Sequence, residues 1–140
     1  MLDGEDILYV DRIRSFARTQ IDTDLDLAPG TRLPAYCTAM GKVLLANLSD
    51  AERYRLLSSM NLTKRTNDTI TSKTVLSQKL DQIRDQGLAV NNQELAPDVH
   101  SVAAPVRDHA REVVAAVNLA AATSAISLDE LNSSIRSAPT

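Results

Sequence analysis

The residues best suited to nucleophilic chemistry are one cysteine, Cys37, and two histidines, His100 and His109. A thiol beside an imidazole could form a covalent intermediate, because the imidazole can remove the thiol proton. Nothing in the sequence orients either histidine, and a single cysteine is more often a small buried apolar residue. We therefore expect Cys37 to be structural and the chain not to be an enzyme.

Metal and cofactor sites have equally little support. The two histidines have no cysteine or histidine partner at the spacing of a zinc site. The glycines, at positions 4, 30, 41 and 87, are isolated, whereas a phosphate-binding loop needs several close together. We expect no metal and no cofactor.

Polar residues within apolar strands are better candidates, because they could bind a small molecule. Side chains alternate between the two faces of a strand, so Val99 and Ser101 share one face of their strand. Asn118 and Ala120 share one face of the next strand, together with apolar residues. A buried asparagine needs hydrogen-bond partners. Asn118 therefore bonds either to neighbouring backbone or to a ligand, and the sequence favours neither.

A predicted helix from Thr38 to about residue 48 adds a second candidate. Its first free N–H groups, at Ala39 and Met40, and the positive end of its dipole could bind an anion. Equally, Thr38 could simply cap the helix, and both roles are compatible. Gly41 inside this helix costs about 1 kcal/mol relative to alanine, which indicates that another backbone or a ligand comes close.

The elements that position these groups follow from periodicity and turn residues. Residues 6–13 are typical of a strand and residues 22–31 of a loop. Capping serines predict helices beginning after Ser49, Ser72 and Ser127, with Gly87 ending the second of them. Three strands are predicted at residues 88–94, 99–107 and 113–121. The link between the last two is too short for a crossover, so they are antiparallel. The pattern predicts one α+β domain, residues 1–140, with helices packed on a largely antiparallel sheet.

Composition limits the possible partners. The chain has 140 residues, 44% hydrophobic and 24% charged, with a net charge of −3. This mild acidity gives no electrostatic basis for binding nucleic acid unaided. No segment approaches the roughly 20 apolar residues of a membrane span, and the first residues do not resemble a signal peptide. We expect a cytoplasmic protein that does not bind membranes.

Four segments together resemble the effector-binding domain of IclR-family transcription regulators. They are LDGEDILYVDRIRS near the start, GTRLPAYCTAMGKVLLANLS at residues 30–49, LDQIRDQGLAVNNQELAPDVHSVAAPVRD at residues 80–108 and EVVAAVNLAAA at residues 112–122. The second segment is similar to the branch that senses aromatic acids of the β-ketoadipate pathway, of the protocatechuate or para-hydroxybenzoate type. The resemblance implies a GAF- and PAS-like fold, a binding pocket between sheet and helices, and dimers or tetramers. DNA binding would belong to a winged helix-turn-helix domain that this chain lacks, and the last helix would be slightly truncated.

The resemblance also implies a set of effector-binding residues. They are Leu33, Ala39, Met40, Asn91, Val99, Ser101, Asn118 and Ala120. Relatives often carry Asp at position 91, and one that binds a small oxo-acid carries serines at 118 and 120. These differences favour a larger, flatter acid here. Arg32 and His100 are possible charge complements, although His100 faces away from Ser101.

Two functions are therefore expected as alternatives. In the first, a small, aromatic or other organic acid binds here and biases the arrangement of an oligomer. In the second, the domain is a structural oligomerisation module with a vestigial pocket.

Overall fold

The computed structural model describes residues 2–8 and 32–137. The first part of the described chain contains strands β1 (Leu2–Asp3), β2 (Asp6–Leu8) and β3 (Arg32–Pro34), followed by helices α1 (Ala39–Ala46), α2 (Asp50–Ser59) and α3 (Lys73–Gln86). The second part contains strands β4 (Ala89–Asn92), β5 (Val99–Arg107) and β6 (Val113–Ala122) and helix α4 (Leu128–Ser137). Among these residues no helix is long and apolar enough to cross a membrane.

The strands form two three-stranded sheets, in the orders β1-β2-β3 and β4-β5-β6. Every pairing between the described strands is antiparallel. The predicted α+β class, with helices packed on antiparallel strands, is confirmed.

Most predicted elements are present with small shifts. Strand β5 has the predicted limits and β6 ends one residue later than predicted, at Ala122. Strand β4 is shorter than predicted because Gln93 has a positive φ of 63°, which ends the extended backbone. The short strands β1 and β3 were not expected. The predicted first strand is present at Asp6–Leu8, and its remaining residues, like the loop at 22–31, lie outside the described residues.

The predicted serine caps and the predicted end of α3 at Gly87 are confirmed, whereas α1 ends at Ala46, earlier than the predicted residue 48. The hydroxyls of Ser49, Ser72 and Ser127 accept hydrogen bonds, at 3.3, 3.3 and 3.1 Å, from the backbone N–H three residues later. Gly87 ends α3 in the left-handed conformation, with a φ of 79°. A left-handed terminal residue is usually glycine because it has no Cβ to clash.

Helices cover both faces of the sheet formed by β4, β5 and β6. On one face, α1 packs against alanines of the main core, which include Ala89 and Ala103. On the other, α4 packs against a smaller cluster built on Val102 and Ala121. We call these the α1 face and the α4 face. Strand alternation assigns every other residue of each strand to the same face.

Helix α1 is held tightly at its start and at its end. A Cβ at Gly41 would lie 2.2 Å from the carbonyl oxygen of Ala35. The close approach expected at this glycine is therefore made by backbone. At the other end, Arg53 and Arg84 donate to the carbonyl of Ala46 at 2.9 and 2.7 Å. The two positive charges at this C-terminus also interact favourably with the negative end of the helix dipole.

Candidate functional site

Three of the predicted polar residues lie together on the α1 face. Asn91 pairs with Ser101 across β4 and β5. Ser101 pairs in turn with Ala120 of β6, and Asn118 lies one row away, opposite Ala103. Asn91 and Ser101 are both 5% exposed, Asn118 is half-buried and Ala120 is exposed. The structure thus brings Asn91, Ser101 and Asn118 within one patch.

The hydrogen bonding of these polar side chains is incomplete. Asn91 Oδ1 accepts a hydrogen bond from the backbone N–H of Glu94 at 2.8 Å. Within residues 2–8 and 32–137, the Ser101 hydroxyl and the Asn118 amide make no side-chain hydrogen bond to another protein group. The Asn118 amide therefore does not bond to neighbouring backbone within the described residues, which was one of its two expected roles. Neither side chain is among the buried polar atoms that lack a partner, so both keep contact with solvent and are available to a ligand.

The start of α1 supplies the second half of the candidate site. Thr38 Oγ1 accepts from the N–H of Gly41 at 3.2 Å and donates to the carbonyl of Pro34 at 3.0 Å. The expected capping role of Thr38 is confirmed. No acceptor is found in the described chain for the N–H groups of Ala39 and Met40. Capping and anion binding are therefore compatible at this helix end.

The remaining predicted residues differ in burial and in the element that carries them. Leu33 is half-buried in β3 and packs against the main core, as does Met40. Val99 is half-buried at the start of β5, and strand alternation assigns it to the α1 face. Arg32 is exposed in β3.

His100 does not belong with this group. It is 4% exposed and lies on the α4 face, where its Nε2 is 2.5 Å from the carbonyl oxygen of Ile126. Strand alternation had already placed it opposite Ser101. The structure therefore removes His100 from the set of candidate charge complements, because its ring faces away from the other residues and is engaged in a structural hydrogen bond.

Two charged residues that were not expected from the sequence lie beside the site. Lys42 of α1 and Glu94, after β4, are only 3% and 8% exposed. Lys42 Nζ lies 2.7 Å from Glu94 Oε2 and also donates to the carbonyl of Val90 in β4. Burial lowers the pKa of Lys42, and the adjacent Glu94 opposes this change. A sequence signal existed, since Lys42 is the single charged residue in the otherwise apolar run AMGKVLLA.

The thiol of Cys37 is unsuited to nucleophilic attack. Its side chain is fully buried. Burial raises its pKa to about 11, an effect that Arg65 opposes and Glu94 reinforces. The thiolate is the reactive form, so the thiol is inert near neutral pH. Among residues 2–8 and 32–137, no group of three His, Cys, Asp or Glu residues could hold a metal ion.

Comparison with known proteins identifies the family. The family model described as "Bacterial transcriptional regulator IclR C-terminal" matches residues 1–138. The chain belongs to this IclR C-terminal family. The resemblance carried by the four sequence segments is therefore confirmed.

Relatives of this IclR C-terminal domain are transcriptional regulators. The chain is 37% identical, over 94% of its length and 50% of the other protein, to the probable transcriptional regulator SauR of Cupriavidus necator. It is also 37% identical, over 93% of its length and 44% of the other protein, to the Pca regulon regulatory protein of Pseudomonas putida. The chain thus spans about half the length of these curated relatives.

A solved structure extends the comparison to a domain with a bound ligand. The inducer-binding domain of the transcription factor PobR from Acinetobacter, a double mutant in complex with 3-hydroxybenzoic acid, is 25% identical with a TM-score of 0.87. The match covers 96% of this chain and 77% of that chain. That IclR-type domain, in that structure, is bound to a small aromatic carboxylate.

Proposed function

We propose that this chain is the effector-binding domain of an IclR-type bacterial transcription regulator and that its effector is a small aromatic carboxylate. Effector binding would bias the arrangement of an oligomer, and a separate domain would bind DNA. A ligand can shift such an arrangement only if it binds one form more tightly than another. The proposal assigns the chain a sensing role and no catalysis.

One observation carries the proposal. The Ser101 hydroxyl and the Asn118 amide, on a face covered by α1, have no side-chain partner in the described residues. Both groups keep solvent access, so a ligand can reach them and replace water as their hydrogen-bond partner. Unpaired groups on the sheet face covered by α1, together with two available amides at the start of that helix, match a ligand that has both a charged and a neutral polar part.

The proposed arrangement has the effector carboxylate at the N–H groups of Ala39 and Met40. Its ring lies against apolar side chains, for which Leu33, Met40 and Val99 are the candidates. Ser101 and Asn118 hydrogen-bond to the remaining polar groups. Because Asn91 Oδ1 already accepts from Glu94, Asn91 would contribute only its NH2 group.

The aromatic nature of the effector is supported by the relatives. The PobR domain was solved in complex with 3-hydroxybenzoic acid. The Pseudomonas putida relative, which is 37% identical to this chain, is called the Pca regulon regulatory protein. By the family resemblance, Asn91 replaces an aspartate that relatives often carry and Ala120 replaces a serine of a relative that binds a small oxo-acid, and these differences favour a larger and flatter ligand.

Calorimetry and thermal unfolding with a panel of aromatic carboxylates test this proposal. Each acid should be paired with its neutral primary amide, which removes the charge and keeps the ring. An acid present at 100 times its dissociation constant should raise the free energy of unfolding by about 2.7 kcal/mol. If no acid in the panel stabilises the chain while it still forms dimers or tetramers, the oligomerisation-module alternative is supported instead.

A further inference from the structure

The carboxylate of Glu94 has one oxygen with a partner and one without. Oε2 is paired with Lys42 Nζ at 2.7 Å. Oε1 is buried and has no hydrogen-bond partner among the residues that the structure describes. A buried carboxylate oxygen without a donor is costly, so this oxygen can gain strongly from a donor brought by a ligand.

Glu94 is also held rigidly in place. Its backbone N–H donates to Asn91 Oδ1 at 2.8 Å, and its carbonyl accepts from Thr69 Oγ1 at 2.7 Å. Lys42 fixes the position of the carboxylate. A hydrogen-bond acceptor that is ordered before binding costs little entropy to use.

The position of Glu94 links the two halves of the candidate site. It is hydrogen-bonded to Asn91, which shares the α1 face with Ser101. Its ion-pair partner, Lys42, belongs to α1, the helix whose start offers the two available amides. The charge of Glu94 also acts on the thiol of Cys37, which directly precedes the cap of that helix.

An anionic acceptor selects the chemistry of what it contacts. The unpaired Oε1 needs a hydrogen-bond donor, which a hydroxyl group supplies and an ionised carboxylate does not. The acid group of an effector would therefore remain at the start of α1, and a donor elsewhere on the molecule would meet Glu94. We propose that Glu94 Oε1 accepts a hydrogen bond from a ring hydroxyl of the effector, so that Glu94 selects hydroxylated aromatic acids. This inference rests on the proposed effector-binding function.

The test compares hydroxyl with fluorine on the same ring. Fluorine is close to a hydroxyl group in size but cannot donate a hydrogen bond. Dissociation constants of 3- and 4-hydroxybenzoate and of 3- and 4-fluorobenzoate are measured by calorimetry with the whole chain. At one ring position the hydroxy acid should bind at least about tenfold more tightly than the fluoro acid, as expected for a hydrogen bond to a charged group.

Variants then assign the preference to Glu94. Glu94→Gln keeps an oxygen for Lys42 but removes the anionic acceptor, so the ratio between hydroxy and fluoro acids should fall to within about threefold. The control Glu112→Gln makes the same change at an exposed position and should keep the parent ratio. If Glu94→Gln does not fold, the affinity measurement on this variant is replaced by NMR. The chemical shift of the Glu94 side-chain carboxyl carbon is then followed in ¹³C-labelled parent protein. That signal should move with the hydroxy acid and not with the fluoro acid.

The outcomes separate this inference from the proposed function. If none of the four acids binds, the effector-binding function itself fails for this class of ligand. If the acids bind but the parent shows no preference for hydroxyl, Glu94 does not read the ligand and this inference is wrong. A preference that survives in Glu94→Gln, or a Glu94 signal that ignores the hydroxy acid, also overturns it.

Discussion

The two faces of the sheet formed by β4, β5 and β6 carry different kinds of polar residue. On the α4 face, the buried polar residue His100 hydrogen-bonds to Ile126, and the surrounding cluster is apolar. On the α1 face, Ser101 and Asn118 have no side-chain hydrogen bond in the described chain. One sheet thus has a face whose buried polar residue is satisfied internally and a face where polar groups are left unpaired.

This difference separates stability from binding. A polar group that is paired inside the protein contributes to folding, and its removal leaves a buried partner unsatisfied. A polar group with no internal partner contributes little to folding and can contribute to ligand affinity. Substitutions on the α4 face should therefore change stability alone, and substitutions of Ser101 or Asn118 on the α1 face should change affinity alone.

The largest expected effect is on the α4 face. Leu131 is 4% exposed in the cluster beneath α4. Leu131→Ala should lower the free energy of unfolding by about 3 kcal/mol, because it removes buried methyl groups and leaves a cavity. Urea unfolding measures this change. The affinity of the folded protein for an aromatic carboxylate, measured by calorimetry below the unfolding transition, should stay the same. A tenfold loss would show that the two faces are not independent.

The next effect concerns the packing of α1 itself. Gly41→Ala places a Cβ 2.2 Å from the Ala35 carbonyl oxygen. Backbone must move to admit it, so the free energy of unfolding should fall by about 2–3 kcal/mol, although alanine is the better helix former. Gly87→Ala is the comparison. A Cβ at Gly87 would meet open space, but the residue has a positive φ of 79°. Gly87→Ala should therefore lower the free energy of unfolding by about 1 kcal/mol. Equal losses would contradict the steric explanation.

Local sequence patterns were sufficient for much of this architecture. The sequence pattern predicted the limits of β5, alternation placed His100 opposite Ser101, and capping serines predicted the starts of α2, α3 and α4. These features depend on neighbours a few residues apart. The short strands β1 and β3 contain only 2 and 3 residues, too few for any periodicity.

The ion pair between Lys42 and Glu94 could not be predicted from local sequence patterns. Lys42 and Glu94 are 52 residues apart. Only the packing of α1 against β4 brings them together, and both residue types are usually exposed. Likewise, the sequence could not decide between a backbone and a ligand partner for Asn118, because that depends on which groups the fold places around it.

A smaller effect is expected at the start of α1. Met40 is the second residue of α1, and its N–H has no acceptor in the described chain, so Met40→Pro removes an available N–H group without breaking a hydrogen bond of the helix. Affinity for an aromatic carboxylate should fall by about 2 kcal/mol, the value of a hydrogen bond to a charged group. The loss should be much smaller for the primary amide. Calorimetry with both ligands measures the difference.

The control at this position is Met40→Leu, which keeps the N–H and nearly the same volume. It should bind the acid almost as well as the parent. If Met40→Pro weakens the acid and the amide equally, Met40 contributes packing alone, and Arg32 becomes the first residue to test as the partner of the carboxylate.

The smallest expected change in affinity comes from single polar residues, and substituting one on each face compares the two faces directly. Ser101→Ala and Asn118→Ala should each reduce effector affinity by about 1 kcal/mol and leave the free energy of unfolding nearly unchanged, because neither side chain has a described partner to lose. His100→Phe should do the reverse. It leaves the Ile126 carbonyl unsatisfied and lowers stability by about 1–3 kcal/mol, while affinity stays the same. Calorimetry and urea unfolding on all three variants decide the matter. If His100→Phe weakens binding as much as Ser101→Ala does, the α4 face belongs to the site after all, and the separation of the two faces is wrong.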